Sequence, residues 1–236
     1  MKAQKTSLTR KPTAVSLFTG CGGSDAGLVA AGFDVIMAND ISAYAREVYL
    51  ANHHETDYQL RDIQNICSFP KCDLLVGCYP CQGFSQGGAR EPSRAINYLY
   101  REFGRALRQI QPKAFIVENV SGMTRADYSH LLRNQLKNFR HAGYVVTWKV
   151  LNAADFGVPQ DRHRIIIVGL KKAWVSNTSI QRPVMVRARV TRTLPFGMRS
   201  VIYQSGLWES LMFNHSTGIT CLATDDGNGR TFQRQS

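Results

Sequence analysis

The stretch Ala14-Val15-Ser16-Leu17-Phe18-Thr19-Gly20-Cys21-Gly22-Gly23-Ser24-Asp25-Ala26-Gly27-Leu28 passes from an apolar run through a glycine-rich turn into small residues. Ala14 to Phe18 reads as a buried strand, and Asp25 to Ala31 begins a small-residue helix. Glycines in a strand-to-helix turn let the backbone approach a nucleotide-like cofactor closely. Twenty residues after Gly20, Asp40 follows a second apolar run, Val35 to Ala38. A carboxylate there can accept hydrogen bonds from two ribose hydroxyls, which suits an adenosine cofactor. The spacing is not the Gly-x-Gly-x-x-Gly of dinucleotide sites, and on this turn alone a nicotinamide-dependent enzyme is a rival.

Outward from that turn the same alternation continues. Ser42 to Asn52 can cap and propagate a helix, and Leu74 to Gly77 is a short apolar strand. Asn97 to Ile110 places Tyr98, Phe103, Leu107 and Ile110 at roughly helical spacing. Ala114 to Val117 predicts a strand, Leu131 to Arg140 a helix, Tyr144 to Leu151 an alternating strand and Ile165 to Val168 a last buried one. A βαβαβ series of this kind predicts a doubly wound, mostly parallel sheet of Rossmann-like type, with functional residues just after the strands. After Gly169 the alternation gives way to arginines, prolines and scattered glycines. The expected organisation is a basic tail at 1–13, a catalytic domain at 14–170 and an irregular second unit at 171–236.

Composition narrows the partners. The 236 residues carry 29 Lys and Arg against 17 Asp and Glu, a formal net charge of +12. Such a balance favours a polyanion, because lysine and arginine release counterions from a phosphate backbone. No run of about 18 apolar residues suggests a membrane span, and the N-terminal residues do not read as a secretion signal. Six cysteines lack the density of a secreted disulfide framework, and a reducing cytoplasm fits best. Cys78 and Cys81 have no second close pair or histidine cluster downstream, so no metal site is expected.

The discriminating cluster is Asp73-Leu74-Leu75-Val76-Gly77-Cys78-Tyr79-Pro80-Cys81-Gln82-Gly83-Phe84-Ser85-Gln86-Gly87-Gly88, a cysteine just beyond a strand in a glycine-rich polar loop. With it go Glu118-Asn119-Val120 at the end of the next strand and Gln160-Asp161-Arg162-His163-Arg164 before the last one. In this order, over about residues 14 to 170, these elements resemble the nucleophile loop, the acid motif and the Gln-x-Arg-x-Arg motif of DNA cytosine-5 methyltransferases. Each piece has a blander reading: a redox Cys-x-x-Cys, a surface acid, a solvated basic loop. Their joint order favours the family.

The resemblance implies a Rossmann-like S-adenosylmethionine-dependent fold and a catalytic set of Cys81, Glu118, Arg162 and Arg164. Cys81 adds to carbon 6 of the base, which pushes electron density onto carbon 5 for methylation. Glu118 protonates or hydrogen-bonds ring nitrogen 3, and Arg164 contacts the exocyclic oxygen. It also implies that Phe18, Gly20, Gly22 and Gly23 line the S-adenosylmethionine pocket, that Asp40 holds the ribose, and that Asp62 and Ile63 border the adenine. Pro80 closes the pocket near the methyl donor. The family usually has a glutamate followed by an aromatic residue where this chain has Asp40-Ile41, which predicts a modestly weaker cofactor grip.

Chemistry on a stacked base requires flipping it out of the duplex, so Gln82 and Ser85 are expected against the DNA. From Arg162 through Trp208 there are nine lysines and arginines and no acid. Arg182, Arg187, Arg189, Arg192 and Arg199 are phosphate candidates in a partial target-recognition domain. The family's last motif is not found before Ser236, which leaves a split enzyme with a second polypeptide, a truncated member or a small self-sufficient enzyme. The partner expected is double-stranded DNA, and the setting a bacterial-type, nucleoid-associated cytoplasm such as restriction-modification enzymes occupy. Rival readings are a transfer-RNA cytosine-5 methyltransferase, an incompetent DNA-binding remnant, and a thiol-disulfide oxidoreductase built on Cys78 and Cys81.

Overall fold

The computed structural model describes residues 10–80 and 99–177, with Asp127 described by its backbone alone. Seven strands form one sheet: β1 (Thr13–Leu17), β2 (Asp34–Asp40), β3 (Asp57–Leu60), β4 (Leu74–Gly77), β5 (Ala114–Val120), β6 (Tyr144–Asn152) and β7 (His163–Lys171). The helices are α1 (Gly23–Ala30), α2 (Ala43–Asn52), α3 (Tyr100–Ile110), α4 (Ser129–His141) and α5 (Lys172–Asn177). Strand order is β3-β2-β1-β4-β5-β7-β6. The pairs from β3 through β5 are parallel, whereas β7 runs antiparallel to both β5 and β6.

Pleat parity sorts the apolar runs onto two faces. Val15, Leu17, Leu75, Phe115, Val117, Ile165 and Ile167 join α3 and α4 residues in the larger core cluster. Ala14, Leu74, Val76, Ala114, Val168 and Leu170 face the smaller one, beside Leu28 of α1. Trp174 and Val175 of α5 also pack there, so the first helix beyond the expected 170/171 division rests on the sheet. The remainder of 171–236 lies outside the described residues, as does the tail before residue 10. Among the described residues no helix is long and apolar enough to cross a membrane.

Two features were not expected from sequence. Strand β3, Asp57-Tyr58-Gln59-Leu60, is a polar edge strand that among the described residues pairs with β2 alone. Strand β7 starts two residues earlier and ends three later than its apolar core suggests, because its ends pair with β6 along nine registered positions.

Gly77, the last residue of β4, lies under the ring of Phe103, and a Cβ there would run into that ring. Phe103 in turn meets Phe115 at 5.8 Å and Phe139 at 5.7 Å, so it has little room to yield. Gly77→Ala is therefore expected to cost about 1–3 kcal/mol through overpacking. A thermal melt should fall by roughly 2–10 °C; an unchanged midpoint would mean that the ring can move aside.

Candidate active site

Between β1 and β4 the crossovers leave in opposite directions, and ligands in open α/β sheets bind at such a switch point, beyond the carboxyl ends of the strands. Three segments meet there: Phe18–Gly23 after β1, Cys78–Pro80 after β4, and the end of β5 with Glu118. The backbone N–H of Cys78 donates to Leu17 O at 3.1 Å, extending the β1–β4 ladder into the loops. The rings of Phe18 and Tyr79 meet edge to face, with centroids 6.1 Å apart.

The first segment is a tightly wound turn. Phe18, Gly20 and Gly22 have positive φ angles of 58°, 55° and 85°. For Phe18 this left-handed backbone is strained, and such strain persists only where the surroundings enforce it. The glycines differ in what they do. A Cβ on Gly22 would meet ring atoms of Tyr49 and His53 at 2.8 Å, so this glycine lets the turn close against α2. A Cβ on Gly20 or Gly23 would meet nothing within 4 Å. Those two positions face open space, where a ligand could approach the backbone.

Asp40, at the end of β2, uses both carboxylate oxygens locally. Oδ2 accepts from the Gly20 N–H and Oδ1 from the Ser42 N–H, each at 2.9 Å. It thus fastens the glycine turn to the start of α2, leaving further lone pairs for a ligand. Ile41 beside it is 71% exposed, an open apolar face. Asp62 accepts from the Gln64 N–H at 2.9 Å and starts a short 3₁₀ turn, whereas Ile63 is buried in the core. The free lone pairs of Asp40, the exposed Ile41 side chain and the Asp62 carboxylate are of a kind that an adenosine-bearing cofactor could use.

On the other side of the switch point, Glu118 and Arg164 are brought together by register. Glu118 on β5 lies opposite Ile166, and Arg164 two residues earlier on β7 lies opposite Val120. This diagonal relation puts both side chains on one face of an antiparallel pair. Arg164 Nε donates to Glu118 Oε1 at 2.9 Å, and both side chains are partly buried. Burial raises the Glu118 pKa above the ordinary carboxylate value, while Arg164 and then Arg162 pull it partway back. Arg162 itself is exposed. Its loop is fixed by Asn152, whose Oδ1 accepts the Arg162 N–H at 3.0 Å and whose Nδ2 donates to Asp161 at 2.8 Å.

Several positioning groups escaped the sequence reading. Tyr79 is pinned at both ends: its hydroxyl donates to Gln135 Oε1 at 2.6 Å, and its carbonyl accepts from Asn119 Nδ2 at 2.9 Å. Asn119 follows Glu118 on β5, so the inward neighbour of the acid holds the loop that leads to Pro80. Cys78 is half-buried; burial pushes its thiol pKa up, and its Sγ contacts Ser24 Oγ at 4.0 Å. A thiol held in its protonated form is a poor redox partner. The nucleophile candidate Cys81, the loop residues Gln82 and Ser85, and Arg182, Arg187, Arg189, Arg192 and Arg199 lie outside the described residues.

The family model for C-5 cytosine-specific DNA methylases matches residues 13–194, and the chain belongs to that family. Type II methyltransferase M.BsuRI of Bacillus subtilis is 37% identical over 194 residues, covering 70% of this chain and 44% of the relative. Type II methyltransferase M.FnuDI of Fusobacterium nucleatum is 40% identical over 182 residues, covering 74% and 52%. The chain therefore spans about half the length of the curated relatives it matches. Among solved structures, a prophage-encoded candidate DNA modification methyltransferase from E. coli superposes with a TM-score of 0.64 at 27% identity, covering 76% of this chain and 52% of the other. The S. pombe Dnmt2 methyltransferase shares the fold, with a TM-score of 0.55 at 22% identity over 69% of this chain and 50% of that one.

Proposed function

We propose that the chain carries the catalytic core of a DNA cytosine-5 methyltransferase, acting through Cys81 on a base flipped out of double-stranded DNA. The observation that carries this reading is the Glu118–Arg164 pair at 2.9 Å, beside the loop that leads through Pro80 to Cys81. The remaining half of the family architecture, on the same polypeptide or a second one, completes the enzyme to which the activity is assigned.

In the proposed reaction the Cys81 thiolate forms a bond to carbon 6 of cytosine. The ring electrons move toward carbon 5 and nitrogen 3, where the protonated Glu118 carboxyl supplies a hydrogen bond or a proton. Arg164 holds Glu118 in place and offers its remaining N–H groups to the exocyclic oxygen, with Arg162 adding positive charge nearby. S-adenosylmethionine, when bound, supplies the methyl group to carbon 5. A water molecule accepts the carbon 5 proton, the electrons of that bond restore the carbon 5–carbon 6 double bond as the carbon 6–sulfur bond breaks to return the thiolate, and a proton taken up at nitrogen 3 goes back to Glu118. Gln82 and Ser85 contact the DNA around the vacated position, and the five arginines from Arg182 to Arg199 contact phosphates.

Tritium transfer from labelled S-adenosylmethionine to duplex DNA and, in parallel, to transfer RNA tests the substrate. Label is expected in DNA, and label confined to RNA would move the assignment to the transfer-RNA reading. Cys78→Ser separates methyl transfer from thiol-disulfide exchange. The serine hydroxyl can keep the contact to Ser24, and methyl transfer should survive; its loss together with a loss of disulfide reductase activity would favour the redox reading.

A further inference from the structure

Asp25 is wholly buried at the third position of α1, and its partners among the described residues are hydroxyls rather than cations. Oδ1 accepts from Ser16 Oγ at 2.6 Å and Ser24 Oγ at 3.1 Å, while Oδ2 accepts from Thr19 Oγ1 at 2.7 Å and Tyr49 Oη at 2.9 Å. A buried carboxylate without a cationic partner is costly, and a well-packed apolar group would serve stability at least as well. The first turn of a helix offsets part of that cost through its dipole. What the four hydroxyls share is their location. Ser16 lies on β1, Thr19 sits between the strained Phe18 and Gly20, Ser24 follows Gly23, and Tyr49 reaches across from α2 under Gly22.

We propose that Asp25 is the positioning residue of the cofactor turn, holding Phe18–Gly23 in its ligand-ready shape by anchoring that turn to β1 and α2. The inference rests on the S-adenosylmethionine reading of that turn and deepens it. Phe18 at positive φ does not keep that conformation without restraint, while Gly20 and Gly22 adopt theirs freely and so leave the turn free to move. Thr19 is clamped twice, its N–H donating to Asn39 O at 3.0 Å and its hydroxyl to Asp25. Removing the hydroxyl bonds lets the turn sample relaxed conformations, and apparent affinity falls by the fraction of molecules that leave the ready state. Burial and the adjacent Asp25 both raise the Tyr49 pKa, which keeps its hydroxyl a donor; Thr56 is bonded there as well.

Tyr49→Phe and Thr19→Val remove one donor each and preserve shape, and Thr19→Ser restores the hydroxyl. Calorimetric titration of the full chain with S-adenosylmethionine at 15 °C, well below each variant's melting midpoint, is the readout. Each of the two deletions should raise Kd about tenfold, equivalent to ~1.4 kcal/mol, and the double variant more, while Thr19→Ser binds like the parent. Far-UV circular dichroism is used to select the variants that are folded at that temperature; should one of them fail this check, the other decides the question. Lower melting midpoints with parental Kd values would make Asp25 merely structural and overturn the inference. Absence of binding by the parent chain would overturn the cofactor reading, and the inference with it.

Discussion

Cys81→Ser is expected to lower methyl transfer by at least roughly 10⁴-fold, the scale on which removal of a covalent nucleophile disables an enzyme. Conjugate addition needs a polarisable anion. A cysteine thiol reaches that state near neutral pH with modest help from backbone dipoles or cations, whereas a serine hydroxyl does not. The variant should keep its affinity for S-adenosylmethionine, because the proposed cofactor turn at Gly20 and Gly23 and its hydrogen bond to Asp40 do not depend on position 81. Single-turnover transfer of labelled methyl to duplex DNA measures the loss. Retained turnover in Cys81→Ser would mean that another group attacks the base.

The second large effect is expected at Glu118. Glutamine can donate a hydrogen bond but cannot carry a transferable proton, and Glu118→Gln should slow the chemical step about 10²–10⁴-fold. The sign of the pH dependence follows from the pKa, which burial raises above the ordinary carboxylate value against the pull of Arg164 and Arg162. In the proposed mechanism the acid form is the working form, so the rate limited by proton donation is expected to fall as pH rises through that raised value. The same shift means that the folded state holds this proton where the unfolded chain has released it. Its contribution to stability is present at acid pH and is lost as pH climbs through the folded value. Replacing Arg164 by glutamine removes the strongest opposing charge. The alkaline limb of the single-turnover profile should then move to higher pH, even though the rate itself drops. A limb that moves to lower pH would contradict the placement of Arg164 as the cation that holds Glu118.

These expectations trace to residues whose visibility in the sequence differs for physical reasons. The central strands announce themselves because both faces are covered: Leu74–Gly77 and Ala114–Val117 are continuous apolar runs, and Ala14–Leu17 is interrupted only by Ser16. Strand β3 is an edge element whose side chains are half-buried or exposed, and its polar composition carries no strand pattern. The direction of β7 is set by pairing with β6 across a ten-residue connection, which periodicity within either strand does not encode. Glu118 and Arg164 were legible as motif residues, but their contact depends on the antiparallel register. Asp25 was the least legible of all. It stands among small residues in a helix start, where an acid is commonplace, and its meaning comes from Tyr49, 24 positions away.

Covalent capture reads the nucleophile most directly. The enzyme is incubated with S-adenosylmethionine and duplex DNA of mixed sequence in which cytosine is replaced by 5-fluorocytosine. Fluorine at carbon 5 cannot leave as a proton does, so the adduct persists once the methyl group has been transferred. Protease digestion followed by mass spectrometry should place the modified base on the peptide that contains Pro80-Cys81-Gln82, with the linkage at Cys81. An adduct on any other residue, or an enzyme that methylates ordinary duplex DNA and yet forms none, would contradict the assignment of Cys81.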